Sequence, residues 1–369
     1  MSSDLDSIQE ALDAIAAGEL IVVVDDEDRE NEGDLVMAAT KATPEKVAFM
    51  IRHTSGILCV PIEQAEARRL NLDPMVADND APLGTAFTVS VDYRFGLTTG
   101  ISAEERCNTI RGLANGNAGA DDFVRPGHVF PLVAKAGGVL MRSGHTEAGV
   151  DLSRLAGLSP VSLLAELVND DGTVKRGKEV LAFAREHGLK IVSIAELIEY
   201  RQQRERLVER IAEFPVQTQI GEARGIAYAT TFDSMQHLAL VFGQIGDGRE
   251  VPTRMHREEI LDDVFGGSRT LHQVFERFEE AGRGVLVYLR EGSTGVPVGG
   301  LDSEARDDLP GATNSEADRA QRWHEIGLGA QILRDLGVCS IRLLATRTRQ
   351  YVGLAGFGIE ISDTEIIAP

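Results

Sequence analysis

The run Asp25-Asp-Glu-Asp-Arg-Glu-Asn-Glu-Gly-Asp34 decides how this chain is read. Seven of its ten residues are acids, yet it is pinned between the apolar segments Ile21-Val-Val-Val24 and Leu35-Val-Met-Ala38. β-Branched runs of that kind are buried strands. A charge run is ordinarily a solvated loop. This one has its ends at the rim of a core, and it holds one Arg and one Gly that a merely solubilising segment does not need. Clustered carboxylates suit a hard divalent cation, which takes oxygen ligands. The spacing is not that of an EF-hand, because the loop pattern and its closing Glu are absent.

Outward from this run the pattern alternates. Leu5, Ile8, Leu12 and Ile15 recur at helical period, and Gly18 stops that helix. Thr43-Pro44 opens a second helix with proline at its first position, and Gly56 to Ile62 reads as a strand. Residues 84–100 look like strand and loop, and residues 112–128 like Gly- and Asp-rich loop. Ser102-Ala-Glu-Glu105 and Ser193-Ile-Ala-Glu196 are capping boxes that start helices. Val161 to Val168 fits helix or strand, and the turn signal Asn169-Asp-Asp-Gly172 favours strand. Residues 178–187 are a helix closed by Gly188, followed by a short strand from Lys190 to Val192. The polar stretch Arg201 to Arg210 reads as a linker. Beyond it, strand-like segments (225–231, 237–242, 284–289, 340–345) alternate with helical ones (268–281, 324–336). The fold class is mixed α/β in both halves, with domains over residues 1–204 and 210–369.

The chain has 369 residues and a net charge of −21. Residues 1–204 hold 32 acids against 20 Lys and Arg, and the remainder 26 against 17. Acidity spread this evenly repels phosphate backbones and argues against a nucleic-acid partner. A small anionic substrate must therefore be drawn in by a local basic cluster or a metal. Cys59, Cys107 and Cys339 are far apart and form no CxxC, which points to reduced thiols in the cytoplasm. The opening Met-Ser-Ser-Asp-Leu-Asp-Ser has no basic, then apolar, character, and no apolar run approaches membrane-spanning length.

Three further segments carry chemistry. Arg142-Ser-Gly-His-Thr146 follows the apolar stretch Gly138 to Met141. A strand ending in such a turn presents backbone N–H groups beside Arg and Thr donors, which suits a phosphate. His145 within it fits a metal ligand or a proton shuttle. His128 sits in Arg125-Pro-Gly-His128, read as another loop. Glu166 would share a strand face with Leu164 and Val168; it is either a general acid or base or an edge residue facing water.

Together these segments resemble 3,4-dihydroxy-2-butanone 4-phosphate synthase over about residues 5–204. The acidic run, Phe87-Thr-Val-Ser-Val-Asp92, Gly100-Ile-Ser-Ala, Arg125-Pro-Gly-His128, Arg142-Ser-Gly-His-Thr-Glu147 and Asn169-Asp-Asp-Gly172 occur in that family's order. The resemblance implies an α/β sandwich that converts ribulose 5-phosphate to 3,4-dihydroxy-2-butanone 4-phosphate and formate, a lyase reaction. It implies two Mg²⁺ per site, held by Glu30 and His145, with Mn²⁺ as a substitute. Arg29, Glu30, Asp34 and the run Arg142, Ser143, Gly144, His145, Thr146 are implied substrate ligands. Glu166 is implied in substrate contact and acid/base work, and His128 as a second essential residue. Cys59 and Thr109 match positions near the pocket. Glu30, Glu32, Asp34, His128 and Glu166 would supply groups of different pKa for proton transfer. A homodimer with sites near its interface is also implied.

Residues 210–369 resemble GTP cyclohydrolase II in Arg254-Met-His256, Asp263-Val-Phe-Gly266, residues 327–337 and residues 351–358. That family's three zinc cysteines align with Glu259, Thr270 and His272, a poor zinc set. Its Arg-rich loop is shortened to Arg290-Glu-Gly-Ser-Thr-Gly295, and Arg322-Trp-His-Glu325 occupies its catalytic tyrosine region. The expectation is a domain that kept its fold and lost its reaction, with no zinc. Retained GTP cleavage and a nucleotide-binding or regulatory module are the alternatives.

Overall fold

The computed structural model describes residues 5–25, 30–81, 83–230, 235–258, 261–266, 269–290, 327–346 and 359–367. It divides into two compact units, Met1–Tyr200 and Arg201–Pro369. No helix among the described residues is long and apolar enough to cross a membrane.

The first unit is built on seven strands: β1 Ile21–Val24, β2 Gly33–Ala38, β3 Cys59–Ile62, β4 Val91–Tyr93, β5 Phe123–Val133, β6 Ser162–Glu166 and β7 Lys190–Ser193. Their order is β4-β5-β3-β6-β2-β1-β7, with β1∥β7 and β3∥β5 the parallel pairs. β2 is buried along its whole length, which is why its residues carry no solvent-facing alternation. Gly33 opens it because a Cβ there would stand 2.5 Å from Val180 Cγ1. That accounts for the glycine at the end of the acidic run.

Around the sheet lie α1 Ile8–Ala17, α2 Pro44–His53, α3 Gln64–Arg69, α4 Ala103–Leu113, α5 His145–Leu155, α6 Lys178–His187 and α7 Ile194–Arg204. The start signals perform as written. Thr43 accepts from Lys46 N at 3.4 Å with Pro44 at N1, and both serine capping boxes form. Gly18 closes α1 at φ 87°, a conformation open to glycine.

Three expectations are corrected. Arg125-Pro-Gly-His128 is not a loop but lies inside β5. Proline and glycine read as breakers, yet here they fill a bulge: Val91 pairs with Val129 and Asp92 with Val124, so residues 125–128 have no partner on β4. Gly138–Leu140 is a 3-10 turn rather than a strand, and the Arg142 segment runs into the N-terminus of α5. The polar stretch from Arg201 is not a free linker. It finishes α7 and starts the next strand, with Arg201 ion-paired to Glu205 at 2.6 Å and buried.

The second unit holds β8 Val208–Thr218, β9 Gly221–Thr230, β10 Gln236–Phe242, β11 Val251–Arg257, β12 Gly284–Leu289, β13 Ser340–Ala345 and β14 Glu360–Ile366, with α8 Arg269–Ala281 and helical residues 327–335. The sheet order is β14-β13-β11-β12-β10-β9-β8. The strands β12, β11, β13 and β14 run parallel, and β8 to β10 form an antiparallel meander.

Candidate active site

The acidic run closes on itself. Asp25, at the end of β1, accepts backbone hydrogen bonds from Glu30 (3.2 Å) and Glu32 (2.9 Å). Its buried carboxylate thus ties Glu30 and Glu32 to the end of β1. Across the same end of the sheet, the first residue of α5 is His145. One ligand atom each from Asp25, Glu30 and His145 lies within 4.8 Å of the other two, and no other such trio of ligating residues occurs among the described residues. His145 Nε2 sits 3.2 Å from the Val23 carbonyl, which can only accept. A proton on Nε2 would satisfy that carbonyl and leave the Nδ1 lone pair for a cation. A metal-binding imidazole usually donates its other ring N–H to a carbonyl or carboxylate in this way. Two carboxylates and one imidazole fit Mg²⁺ or Mn²⁺.

Asp34 and Glu166 are direct cross-strand partners on β2 and β6. β6 is interior to the sheet, so Glu166 is not an edge residue. Burial, followed by repulsion from Glu166, Glu30, Asp25 and Glu32, pushes the Asp34 carboxyl well above its ordinary range. Glu166 is half-buried and accepts from Ser55 Oγ at 2.7 Å. Cys59 lies beside them at the start of β3, opposite Leu164. Burial, then Glu166 and Asp34, push its thiol up, so it stays a neutral, enclosed S–H rather than a thiolate nucleophile. Glu32 turns aside to Arg176, 3.4 Å away, and burial raises its carboxyl against that pairing.

Ser143, His145 and Thr146 are buried around the start of α5, whose N-cap Gly144 offers no side-chain cap. First-turn amides of a helix form an anion site. Arg142 is held there through Nη1 to Glu147 Oε2 (2.8 Å) and Nη2 to Leu83 O (3.1 Å). Gly144 is the one residue that lets this pair close, since a Cβ would stand 2.2 Å from Arg142 Nη1.

Two expected residues lie apart from this centre. His128 is on β5, three strands from β2, roughly 14 Å at about 4.8 Å per strand. Thr109, fully buried on α4, makes both its hydrogen bonds within the protein, accepting from Tyr93 N (2.9 Å) and donating to Glu105 O (3.1 Å). These bonds tie it to Tyr93, the residue after Asp92 on β4. Arg29 lies outside the described residues. Asp25 was missed as a ligand. The available signal was its position as the first residue after a buried strand, where a side chain is placed by the sheet.

The sequence profile of 3,4-dihydroxy-2-butanone 4-phosphate synthase matches residues 9–200, and that of GTP cyclohydrolase II matches residues 209–366. The chain belongs to the 3,4-dihydroxy-2-butanone 4-phosphate synthase family. It is 47% identical to the Arabidopsis thaliana protein named monofunctional riboflavin biosynthesis protein RIBA 2, chloroplastic, over 96% of this chain and 76% of that one. It is 46% identical to the bifunctional RIBA 1 of the same plant, over 96% and 68%. Among solved structures, a two-domain 3,4-dihydroxy-2-butanone 4-phosphate synthase from A. baumannii matches with a TM-score of 0.80 and 38% identity, covering 99% of this chain and all of that one. A 3,4-dihydroxy-2-butanone 4-phosphate synthase in complex with two magnesium ions matches at 45% identity and a TM-score of 0.53, over 54% and 98%.

In the GTP cyclohydrolase II-like unit, Glu259 and residues 291–295 and 322–325 lie outside the described residues. His272 is exposed on α8, 3.3 Å from Glu276 and 3.4 Å from Gln219. Thr270 is half-buried on the same helix. The buried polar network of this unit is elsewhere: His256 Nε2 lies 2.9 Å from Asp263 Oδ1, and the Tyr288 hydroxyl donates to Asp263 Oδ2 at 2.6 Å.

Proposed function

We propose that this protein converts ribulose 5-phosphate to 3,4-dihydroxy-2-butanone 4-phosphate and formate, supplying the four-carbon unit for riboflavin. The observation that carries the reading is the convergence of Asp25, Glu30 and His145 beside the Asp34–Glu166 pair and the α5 N-terminus. Glu30 and His145 would hold Mg²⁺, with Asp25 as a further ligand. When bound, the ion supplies charge neutralisation for the sugar oxygens. The family relative solved with two magnesium ions supports Mg²⁺ as the ion.

The protein's own groups divide the remaining work. The α5 amides, Ser143, Thr146 and Arg142 bind the phosphate and orient the sugar toward β2 and β6. Two carboxylates set side by side do not both ionise easily. Burial and the neighbouring carboxylates push Asp34 toward its protonated form, which suits it to donate to the substrate. An acid and a base on one substrate face suit enolisation followed by proton return.

His128 stands on β5, three strands from the β2 residue Asp34. We infer a homodimer in which His128 of one copy completes the partner's site. For the second unit we propose no zinc and no GTP cleavage, because an exposed histidine paired to Glu276 and a neutral threonine do not build a three-ligand zinc site. The unpaired cysteines suit the cytoplasm.

The test is product analysis. Purified protein with Mg²⁺ should release formate and the four-carbon phosphate from ribulose 5-phosphate, stop on exhaustive chelation, and restart with Mg²⁺ or Mn²⁺. Turnover that survives chelation overturns the metal assignment, and absence of formate overturns the reaction.

A further inference from the structure

Asp92 places both oxygens of one carboxylate on a single residue. Oδ2 is 2.7 Å from His128 Nδ1, and Oδ1 accepts from the His128 backbone N–H at 2.8 Å. The Asp92 side chain is 4% exposed, whereas that of His128 is 41% exposed, so the ring is gripped from behind and open in front. We infer that Asp92 is the positioning residue that orients His128 and fixes its tautomer, with Nε2 as the working atom.

The carboxylate can only accept, so the ring proton belongs on Nδ1 and the lone pair on the exposed Nε2. A carboxylate behind an imidazole also stabilises the imidazolium that forms when Nε2 takes a proton. The surroundings are built for this contact. Residues 125–128 bulge away from β4, and the Asp92 side chain takes the place of the missing backbone partner for His128.

Gly100, at φ 83°, packs so tightly that a Cβ would stand 2.2 Å from Asp92 Oδ2 and 2.7 Å from His128 Nδ1, closing the contact to water. The loop bearing Gly100 is pinned by Glu105, which accepts from Thr98 N (2.6 Å) and Thr98 Oγ1 (2.7 Å). Thr109 anchors Tyr93, the residue after Asp92. Arg106, buried on the same helix as Thr109, has Asp92 as its interacting negative charge.

This inference rests on the proposed role of His128 in turnover of ribulose 5-phosphate. Asp92→Asn is close in shape and keeps an oxygen for the His128 N–H, but its amide donates toward the ring and forces the proton onto Nε2. With the full chain and Mg²⁺, Asp92→Asn should lower kcat by about 10²- to 10⁴-fold while KM stays within about threefold.

On the His128→Ala background the same change should cost nothing more. Nitrogen-15 spectra, with the His128 signal assigned by its loss in His128→Ala, should show Nδ1–H in the native protein and Nε2–H in Asp92→Asn. Native protein with Nε2–H overturns the inference without recourse to any variant that might misfold. So does wild-type turnover by Asp92→Asn, or an equal loss on both backgrounds. Wild-type turnover by His128→Ala removes the premise and the inference together. Failure of the native protein to release formate instead refutes the proposed function.

Discussion

Asp25 and Asp34 bound the same ten-residue run, yet the fold assigns them opposite tasks. Asp25 turns back to hold two loop amides and face Glu30 and His145, while Asp34 enters the sheet beside Glu166, where burial pushes its carboxyl well above the ordinary range. At the residue scale the sharpest consequence concerns Glu30 and His145. Each should be indispensable for metal affinity, since even outer-shell partners of metal ligands are worth about 10- to 100-fold. Glu30→Gln and His145→Ala should each weaken Mn²⁺ binding by at least about 100-fold and abolish formate release, with the far-ultraviolet circular dichroism unchanged. Paramagnetic relaxation of water by bound Mn²⁺ measures the affinity directly. Native-like binding in either variant would remove that residue from the ligand set.

At the element scale two contacts invite tests. β4 and β5 approach so closely at the bulge that a Cβ on Gly127 would stand 2.0 Å from the Val91 carbonyl carbon. Gly127→Ala therefore has to push two strands apart, at a cost of about 1–3 kcal/mol. Thermal denaturation should show the loss, and turnover should fall with it because His128 is the next residue. Unchanged stability would mean that the bulge is looser than this geometry.

The second contact joins the C-terminal ends of α2 and α6, where the rings of His53 and His187 are 5.0 Å apart among Phe49 and Phe183. Burial, then His187, hold His53 below its ordinary pKa. A depressed histidine binds its proton more readily in the unfolded chain, so the folded state loses stability as pH falls below about 6.5. The urea midpoint should drop between pH 7.5 and pH 5, and His53→Phe should make that drop shallower. An identical pH dependence in the variant would show that this pair has no part in it.

At the scale of the whole molecule the question is how far the two units depend on each other. The sheet order and the hydrophobic core of the first unit are complete within it. Residues 1–204 expressed alone should therefore fold and release formate from ribulose 5-phosphate at a rate near that of the full chain. A folded but inactive fragment would assign the second unit a part in the site or in dimer formation. In the full chain, elemental analysis should show less than one zinc per chain, and GTP should yield neither formate nor pyrophosphate. Zinc with turnover would overturn the reading of the second unit as inert, and zinc without turnover only its metal content.

Local pattern sufficed for much of this protein. The helix starts at Thr43, Ser102 and Ser193 were legible because a capping side chain acts on residues three positions away. The buried strands around the acidic run were legible because β-branched residues crowd there. The run itself announced a divalent cation through the density of its carboxylates. Tertiary structure decided the rest, since those outcomes depend on partners distant in the chain. Asp25 and Asp34 each adjoin a buried strand, and what gives them different tasks is that one faces His145, 120 residues on, and the other faces Glu166. Arg125-Pro-Gly-His128 reads as a loop by every local rule, and it becomes strand because β5 is paired before it at Phe123 and Val124 and after it from Val129, with the Asp92 carboxylate taking the His128 N–H in between. The hydroxyl of Thr109, a position that the resemblance puts near the pocket, bonds Tyr93 and Glu105, because a buried polar group is claimed by whichever partner the packing places nearest.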